Sequence, residues 1–197
     1  EGLGVEIYPG FSAAEVLFND DGSVKGVATG DMGVSKEMEA KDSWEAGMEL
    51  HAKFTLFSEG TRGSLSKFLI DNFNLSEGKD FQKYAIGLKE VWEIKEENFS
   101  EGLVEHSMGW PLSDGTNGGS FLYHFDKNLV SIGYVIHLNY TNPYASPFDE
   151  FQQFKTHPSV KKTLIGGKRL SYGARAITTG GYQSVPKLNF PGGALIG

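Results

Sequence analysis

The sequence predicts an α+β fold. A β-meander and a strand-to-helix segment come first, followed by a larger, mainly antiparallel sheet with one or two covering helices. Three observations carry this. Short runs of alternating apolar and polar residues recur between turn signals, the pattern of half-buried strands. Glycine is abundant, at 26 of 197 residues, which suits a turn-rich β protein. Only a few segments show helical periodicity, chiefly those near residues 60–73 and 146–157.

The elements follow in order. "AAEVLF" (Ala13 to Phe18) and "VKGVAT" flank "NDDGS", so Asp21-Gly22 marks a hairpin turn. The polar stretch from Asp31 to Met48 is expected to be a solvated loop. "ELHAKFTLF" alternates, with Leu50, Ala52, Phe54 and Leu56 on one face, and is expected as a third strand of the meander. "SEGTRGSLSKFLIDNF" turns from strand to helix at Gly60 and sets Leu65, Phe68, Leu69 and Phe73 on one helical face. Beyond Lys83, "KYAIGLKEVWEI", "LVEHSMGW", "GSFLYHF" and "NLVSIGYVIHL" predict four strands of one antiparallel sheet. "SPFDEFQQFKTHP" is a helix with Ser146 as N-cap, Pro147 at N1 and Asp149 at N3; Phe148, Phe151 and Phe154 recur along it, and His157-Pro158 ends it. A shorter helical turn is expected near Ser159 to Leu164. The remainder, "GKRLSYGARAI", "GGYQSVPKL" and "FPGGALIG", is strand and turn.

Composition excludes several function classes. A formal net charge of −7 argues against nucleic acid as a partner. With no cysteine, the chain itself can form neither disulfides nor thiolate metal sites. No apolar run reaches the length of a membrane-spanning helix. The opening "EGLGVEIYPG" and the apolar close "FPGGALIG" lead us to expect a portion of a longer protein.

Catalytic motifs are sparse. The five histidines, His51, His106, His124, His137 and His157, stand singly, with no metal-ligand spacing. There is no G-x-S-x-G elbow and no P-loop, and "GLGVEIYPG" does not make a dinucleotide fingerprint. "LFSEGTRGSLSK" is more informative. A strand ending at Ser58-Glu59-Gly60 and turning into a helix at Ser64 points backbone N–H groups beyond the strand end, where an anionic cofactor can sit. The plain alternative is an ordinary glycine turn. "TNGGSFLYH" places Gly118 and Gly119 directly before an aromatic strand. Glycines weaken a strand, so the pair implies either a tight turn or a ligand in contact with bare backbone.

"GWPLSDGTNGGSFLYHF" and "KRLSYGARAITTGGYQSVPKLNFPGGALIG", together with "GVEIYPGFSAAEVLFNDDGSVKGVAT" and "NPYASPFDEFQQFKTHPSV", closely resemble the electron transfer flavoprotein–ubiquinone oxidoreductase family. The resemblance covers nearly the whole chain but only the middle portion of the family. It implies membrane-associated (monotopic) flavoenzymes that carry FAD and a 4Fe-4S cluster and pass electrons from reduced electron transfer flavoprotein to ubiquinone. It implies a location at the mitochondrial inner membrane, matrix side, or at the bacterial cytoplasmic membrane. It further implies three divisions: residues 1–82 as part of the FAD domain, 83–180 as the ubiquinone-binding domain, and 181–197 returning towards the FAD domain.

Carried over residue by residue, Gly118 and Gly119 lie against the quinone, and backbone groups there hydrogen-bond one of its carbonyl oxygens. Asn117 departs from the tyrosine expected in animal relatives. Gly60, with Glu59 and Arg62, is the expected FAD-side contact. The cluster ligands are absent from this cysteine-free chain, and the chain alone is expected to be inactive. No catalytic acid, base or nucleophile is needed for the electron steps. His124 is a candidate proton group. Trp110, Phe121 and Tyr123 are candidates for membrane contact, with sheet core as their ordinary role. Two other readings stay open: another flavoprotein of the same superfamily, geranylgeranyl reductase-like or hydroxylase-like, and a β-rich piece with a structural role only.

Overall fold

A computed structural model describes residues 2–113 and 115–196. Glu1, Asp114 and Gly197, which the expected segments include, lie outside the described residues. The chain divides into two compact units, Glu1–Lys79 with Val185–Gly197, and Asp80–Ser184.

In the first unit, β1 (Ala13–Phe18), β2 (Val24–Thr29) and β5 (Glu49–His51) form an antiparallel sheet in the order β1-β2-β5. The Asp21-Gly22 turn is present: Gly22 sits at φ +79° and its N–H donates to the Asn19 carbonyl at 2.9 Å. A second small sheet joins β6 (Thr55–Phe57), β12 (Asn189–Phe190) and β13 (Gly193–Leu195), with β13 parallel to β6. Helix α1 (Ser64–Asn72) packs Leu65 and Leu69 into a core with Val16, Val24, Phe57, Leu75, Phe190 and Leu195.

Three expectations for this unit are corrected. The segment from Asp31 to Met48 is exposed as expected, but it is not loop throughout. It carries an antiparallel ribbon of β3 (Met32–Val34) and β4 (Ala40–Glu45). Neither strand buries a face, so no hydrophobic alternation marks it. "ELHAKFTLF" is not one strand. It breaks after His51, and its halves join different sheets, leaving Phe54 75% and Leu56 61% exposed. Alternation survives a break between strands, so pattern alone could not locate it. On α1, Phe68 stays 47% exposed although it touches the Phe18 ring edge-on.

The second unit is built on one antiparallel sheet, in the order β11-β7-β10-β9-β8. Its strands are β7 (Tyr84–Glu93), β8 (Val104–Met108), β9 (Gly118–Phe125), β10 (Leu129–His137) and β11 (Lys168–Thr178). Helices α2 (Pro147–Lys155) and α3 (Pro158–Leu164) cover one face. Ser146 caps α2 as expected, its hydroxyl accepting the Asp149 N–H at 3.3 Å. The three phenylalanines of α2 do not share a face. Steps of three residues rotate about 60° short of a full turn, so Phe151 and Phe154 are buried while Phe148 is 58% exposed.

Under the helices, Val130, Ile132, Tyr134 and Ile136 alternate along β10 and are all buried. Glu90 is buried beside them, and its carboxylate accepts from Lys155 Nζ at 2.9 Å, from Trp92 Nε1 at 2.7 Å and from Arg169 Nη1 at 3.2 Å. This tetrad ties α2 and β11 to β7. On the opposite face, Phe121, Tyr123 and Phe125 stand in a row, with ring centroids 5.8 and 5.6 Å apart.

Candidate functional site

Gly118 and Gly119 open β9, a strand with partners on both sides. Gly118 is in register with Ile136 and Gly119 with Val135 on β10; Met108 of β8 lies opposite Gly119. Neither glycine adopts a left-handed φ, so the turn explanation for the pair is set aside. What they permit is close approach of backbone. A Cβ on Gly118 would run into the carbonyl oxygen of Val135 and lie 2.5 Å from Leu112 Cδ1. A Cβ on Gly119 would lie 2.7 Å from the Ser107 carbonyl oxygen. The bare backbone is therefore already used, at least in part, to fit β9 between its neighbours.

The polar groups of the pair divide by direction. The Asn117 carbonyl accepts the His137 N–H at 2.9 Å. Bonded and non-bonded pairs alternate in an antiparallel ladder, so Gly118 turns its N–H and C=O away from β10, towards the end of β8. There its carbonyl accepts the Gly109 N–H at 3.2 Å. The Gly109 carbonyl accepts from Leu112 N–H at 2.8 Å and from the Tyr134 hydroxyl at 3.0 Å. Gly109 sits at φ +86°, where the chain leaves β8 for the loop that carries Trp110, Leu112 and Asn117. Tyr134 is fully buried against the rings of Phe151 and Phe154, and burial pushes its hydroxyl up to about 12. Sequence reasoning did not find Tyr134 or Gly109. The former reads as one more apolar position of a core strand, and its hydroxyl partner is set by tertiary structure.

Beside the pair, an open groove of about 290 Å³ is lined by Met108, Trp110, Ser107, Ser120, His157 and others. Trp110 is 45% exposed and packs its ring on His157 at 5.1 Å, so it is only partly committed to the fold. Phe121 and Tyr123 are half-buried, and the Phe121 ring fills the space where a Cβ on Gly133 would lie. His124 lies under the helices. Its Nδ1 accepts the Ser100 N–H at 3.1 Å, which puts the neutral ring's proton on Nε2, buried with no protein partner. Burial holds its pKa below the usual histidine range, against a weaker pull upward from Glu105.

Gly60, Glu59 and Arg62 lie in the first unit, ahead of α1. Gly60 adopts φ +75°, and nothing lies within 4 Å of a Cβ built there, so its backbone is open to an approaching group. Glu59 does something the sequence did not suggest. Its carboxylate accepts the N–H groups of Leu65 at 3.3 Å and Ser66 at 2.6 Å, and the Ser66 hydroxyl at 2.7 Å. It thus occupies the helix N-terminus that a phosphate would use. Tested against FAD, the fit is partial. Gly60 offers bare backbone to a flat ring, but these residues form no pyrophosphate cradle. Arg62 is exposed on the same turn.

The fold is of the α+β class, and solved structures share it. A triple mutant of the flavin-dependent brominase Bmp2 superposes with a TM-score of 0.55 and 16% identity over 98% of this chain and 44% of that one, a likeness of fold alone. Sequence is more particular. Residues 84–177, from β7 into β11, match the family model described as ETF-QO, ubiquinone-binding. The whole chain is 57% identical to the human mitochondrial electron transfer flavoprotein-ubiquinone oxidoreductase and 56% identical to the Pseudomonas aeruginosa protein of that name. The resemblance to the electron transfer flavoprotein–ubiquinone oxidoreductase family therefore holds over the entire chain. The chain spans 32% of the human relative's length and 36% of the bacterial one's.

Proposed function

We propose that this chain supplies the quinone pocket of a flavoenzyme that passes electrons from reduced electron transfer flavoprotein to ubiquinone. The observation that carries the reading is the match of residues 84–177 to the ubiquinone-binding family model, since that segment holds both the five-stranded sheet and the glycine pair. In this reading Asp80–Ser184 corresponds to the ubiquinone-binding domain, and the other unit to part of an FAD domain. Gly118 and Gly119 border the quinone. A quinone is a flat, mostly apolar ring with two carbonyl acceptors, which suits backbone donors beside Leu112 and Trp110.

Gly60 borders the flavin, with Arg62 near it, while Glu59 acts through the helix it caps. When bound, FAD supplies the two-electron carrier. The chain's own residues position rather than react. A 4Fe-4S cluster completes the enzyme with ligands from outside this cysteine-free chain. The enzyme acts on the membrane surface: the mitochondrial inner membrane from the matrix side, or the cytoplasmic membrane in a bacterium. Among the described residues no helix is long and apolar enough to cross a membrane. Trp110, beside the groove, is the residue we assign to membrane contact.

The test is a photoreactive ubiquinone analogue applied to an enzyme of full family length carrying these residues. Labelling of peptides spanning 109–119, suppressed by ubiquinone, is expected. Labelling confined to segments outside 84–177 would overturn the reading. Protection by an isoprenoid substrate but not by quinone would favour a geranylgeranyl reductase-like enzyme instead.

A further inference from the structure

The loop between β8 and β9 contains a hydrogen-bond arrangement that a plain sheet would not build. Gly109 and Gly118 face each other one pair beyond Met108 and Gly119. In an antiparallel ladder such a pair exchanges two bonds, each residue giving its N–H to the other's carbonyl. Only one is made. The Gly109 N–H reaches the Gly118 carbonyl at 3.2 Å. The return acceptor, the Gly109 carbonyl, has two lone pairs. One takes the Leu112 N–H at 2.8 Å, closing a turn, and the other takes the Tyr134 hydroxyl at 3.0 Å. The Gly118 N–H is thereby deprived of its ladder partner at a half-buried position.

We propose that Tyr134 is a positioning residue for the quinone site: by holding the Gly109 carbonyl it keeps the Gly118 N–H out of the ladder and available to a carbonyl acceptor. This rests on the quinone reading above and goes further, by assigning the donor and the side chain that frees it. The turn alone leaves the Gly109 carbonyl one open lone pair, and Tyr134 closes it. Its ring is fixed between β10 and the Phe151 and Phe154 side chains of α2, so the hydroxyl is presented from a rigid support. Gly119 differs. Alternation turns its N–H towards Val135 of β10 and into the ladder. A half-buried N–H beside the apolar Leu112 calls for an acceptor that brings no donor of its own, and a quinone carbonyl meets that description. The competing explanation is a core tyrosine whose hydroxyl has simply found a partner.

The experiment is hydrogen exchange at single-amide resolution, with quinone kinetics, on the full-length enzyme and its Tyr134→Phe variant. In the parent without quinone, the Gly118 amide should exchange much faster than that of Gly119, and ubiquinone should slow it. In the phenylalanine variant the freed lone pair should recapture the Gly118 N–H. That amide should then be protected without ligand, and KM for quinone should rise about tenfold, the equivalent of one hydrogen bond. Turnover at saturation and electron acceptance from the donor flavoprotein should not change. Incorporating 3,5-difluorotyrosine at position 134, which keeps ring and hydroxyl, should retain the parental KM and guards against a variant that misfolds. A Gly118 amide as protected as Gly119 in the ligand-free parent overturns the proposal. So does a folded phenylalanine variant with parental exchange and KM. If Tyr134→Phe alters Gly118 exchange while quinone protects neither protein, the quinone reading itself fails, and the proposal with it.

Discussion

Adding a single methyl group at Gly118 tests whether the glycine pair is there for the sheet. In Gly118→Ala the new carbon meets the Val135 carbonyl oxygen and lies 2.5 Å from Leu112 Cδ1. The Val135 oxygen is backbone of β10, which has β7 on one side and β9 on the other and cannot retreat. Strand β9 must move instead, straining the bonded pairs on either side, Asn117 with His137 and Gly119 with Val135. Two weakened ladder bonds cost about 1 kcal/mol each, and overpacking costs roughly 1–3 kcal/mol more. The sum is about 3–5 kcal/mol. At roughly 2–4 °C per kcal/mol for a chain of this size, Tm should fall by about 6–20 °C.

Gly119→Ala should cost less, about 1–2 kcal/mol, because its single close contact, Ser107 O at 2.7 Å, lies on the edge strand β8, which can yield. Gly173→Ala on β11 is the control. Nothing lies within 4 Å of its Cβ and its φ is not left-handed, so it should stay within about 0.5 kcal/mol of the parent. Far-ultraviolet circular dichroism melts and urea midpoints of the three variants give the order directly. Gly118→Ala melting together with Gly173→Ala would refute the close-approach reasoning and return the glycines to a purely ligand-facing role.

Removing Glu90 should destabilise strongly: Glu90→Ala leaves Lys155 with 12% of its side chain exposed and without its carboxylate, a loss of about 3–5 kcal/mol. The double variant Glu90→Leu with Lys155→Met should lose less than that single change, and a larger loss in urea denaturation would contradict it. His124 predicts an acid limb. Its pKa is depressed in the fold, so its contribution is present above its unfolded value of about 6.5 and is lost as pH falls through the lower folded value. Tm should therefore drop on acidification below about 6.5, and less steeply in His124→Asn, which keeps an acceptor for the Ser100 N–H. Parallel curves for the two proteins would show that His124 is not the titrating group.

The second unit was the more legible part of the chain. Its strands alternate because one face lies under helices, and Ser146-Pro147 announces α2 by cap chemistry that needs no tertiary context. The first unit was harder. Its ribbon at Met32–Val34 and Ala40–Glu45 buries no face, so it leaves no period to detect. The break after His51 changes sheet partner without changing the alternation. At the candidate sites, sequence gave the glycines but not their surroundings. The Glu59 carboxylate reaches Ser66, seven residues on, across a turn whose geometry no motif specifies. Tyr134 meets Gly109 from 25 residues away, through the register of β9. Contacts of that kind follow from strand pairing and appear only once the pairing is known.

Strand β11 also governs how the chain behaves at high concentration. It is 11 residues long, exposed along nearly its whole length, and has β7 on one side only. Away from Ala176, its outer row of N–H and C=O groups is a template for another strand. Its charges filter the registers in which a second copy could add. Antiparallel self-pairing centred on Tyr172 would set Arg169 opposite Arg175, which like-charge repulsion disfavours. Centring on Gly173 sets Arg169 opposite Ile177 and Arg175 opposite Ser171, with no such penalty. A single basic-to-neutral exchange on this strand therefore changes which dimers are open to the chain, and solubility depends on where along the edge the charge falls as much as on how many there are.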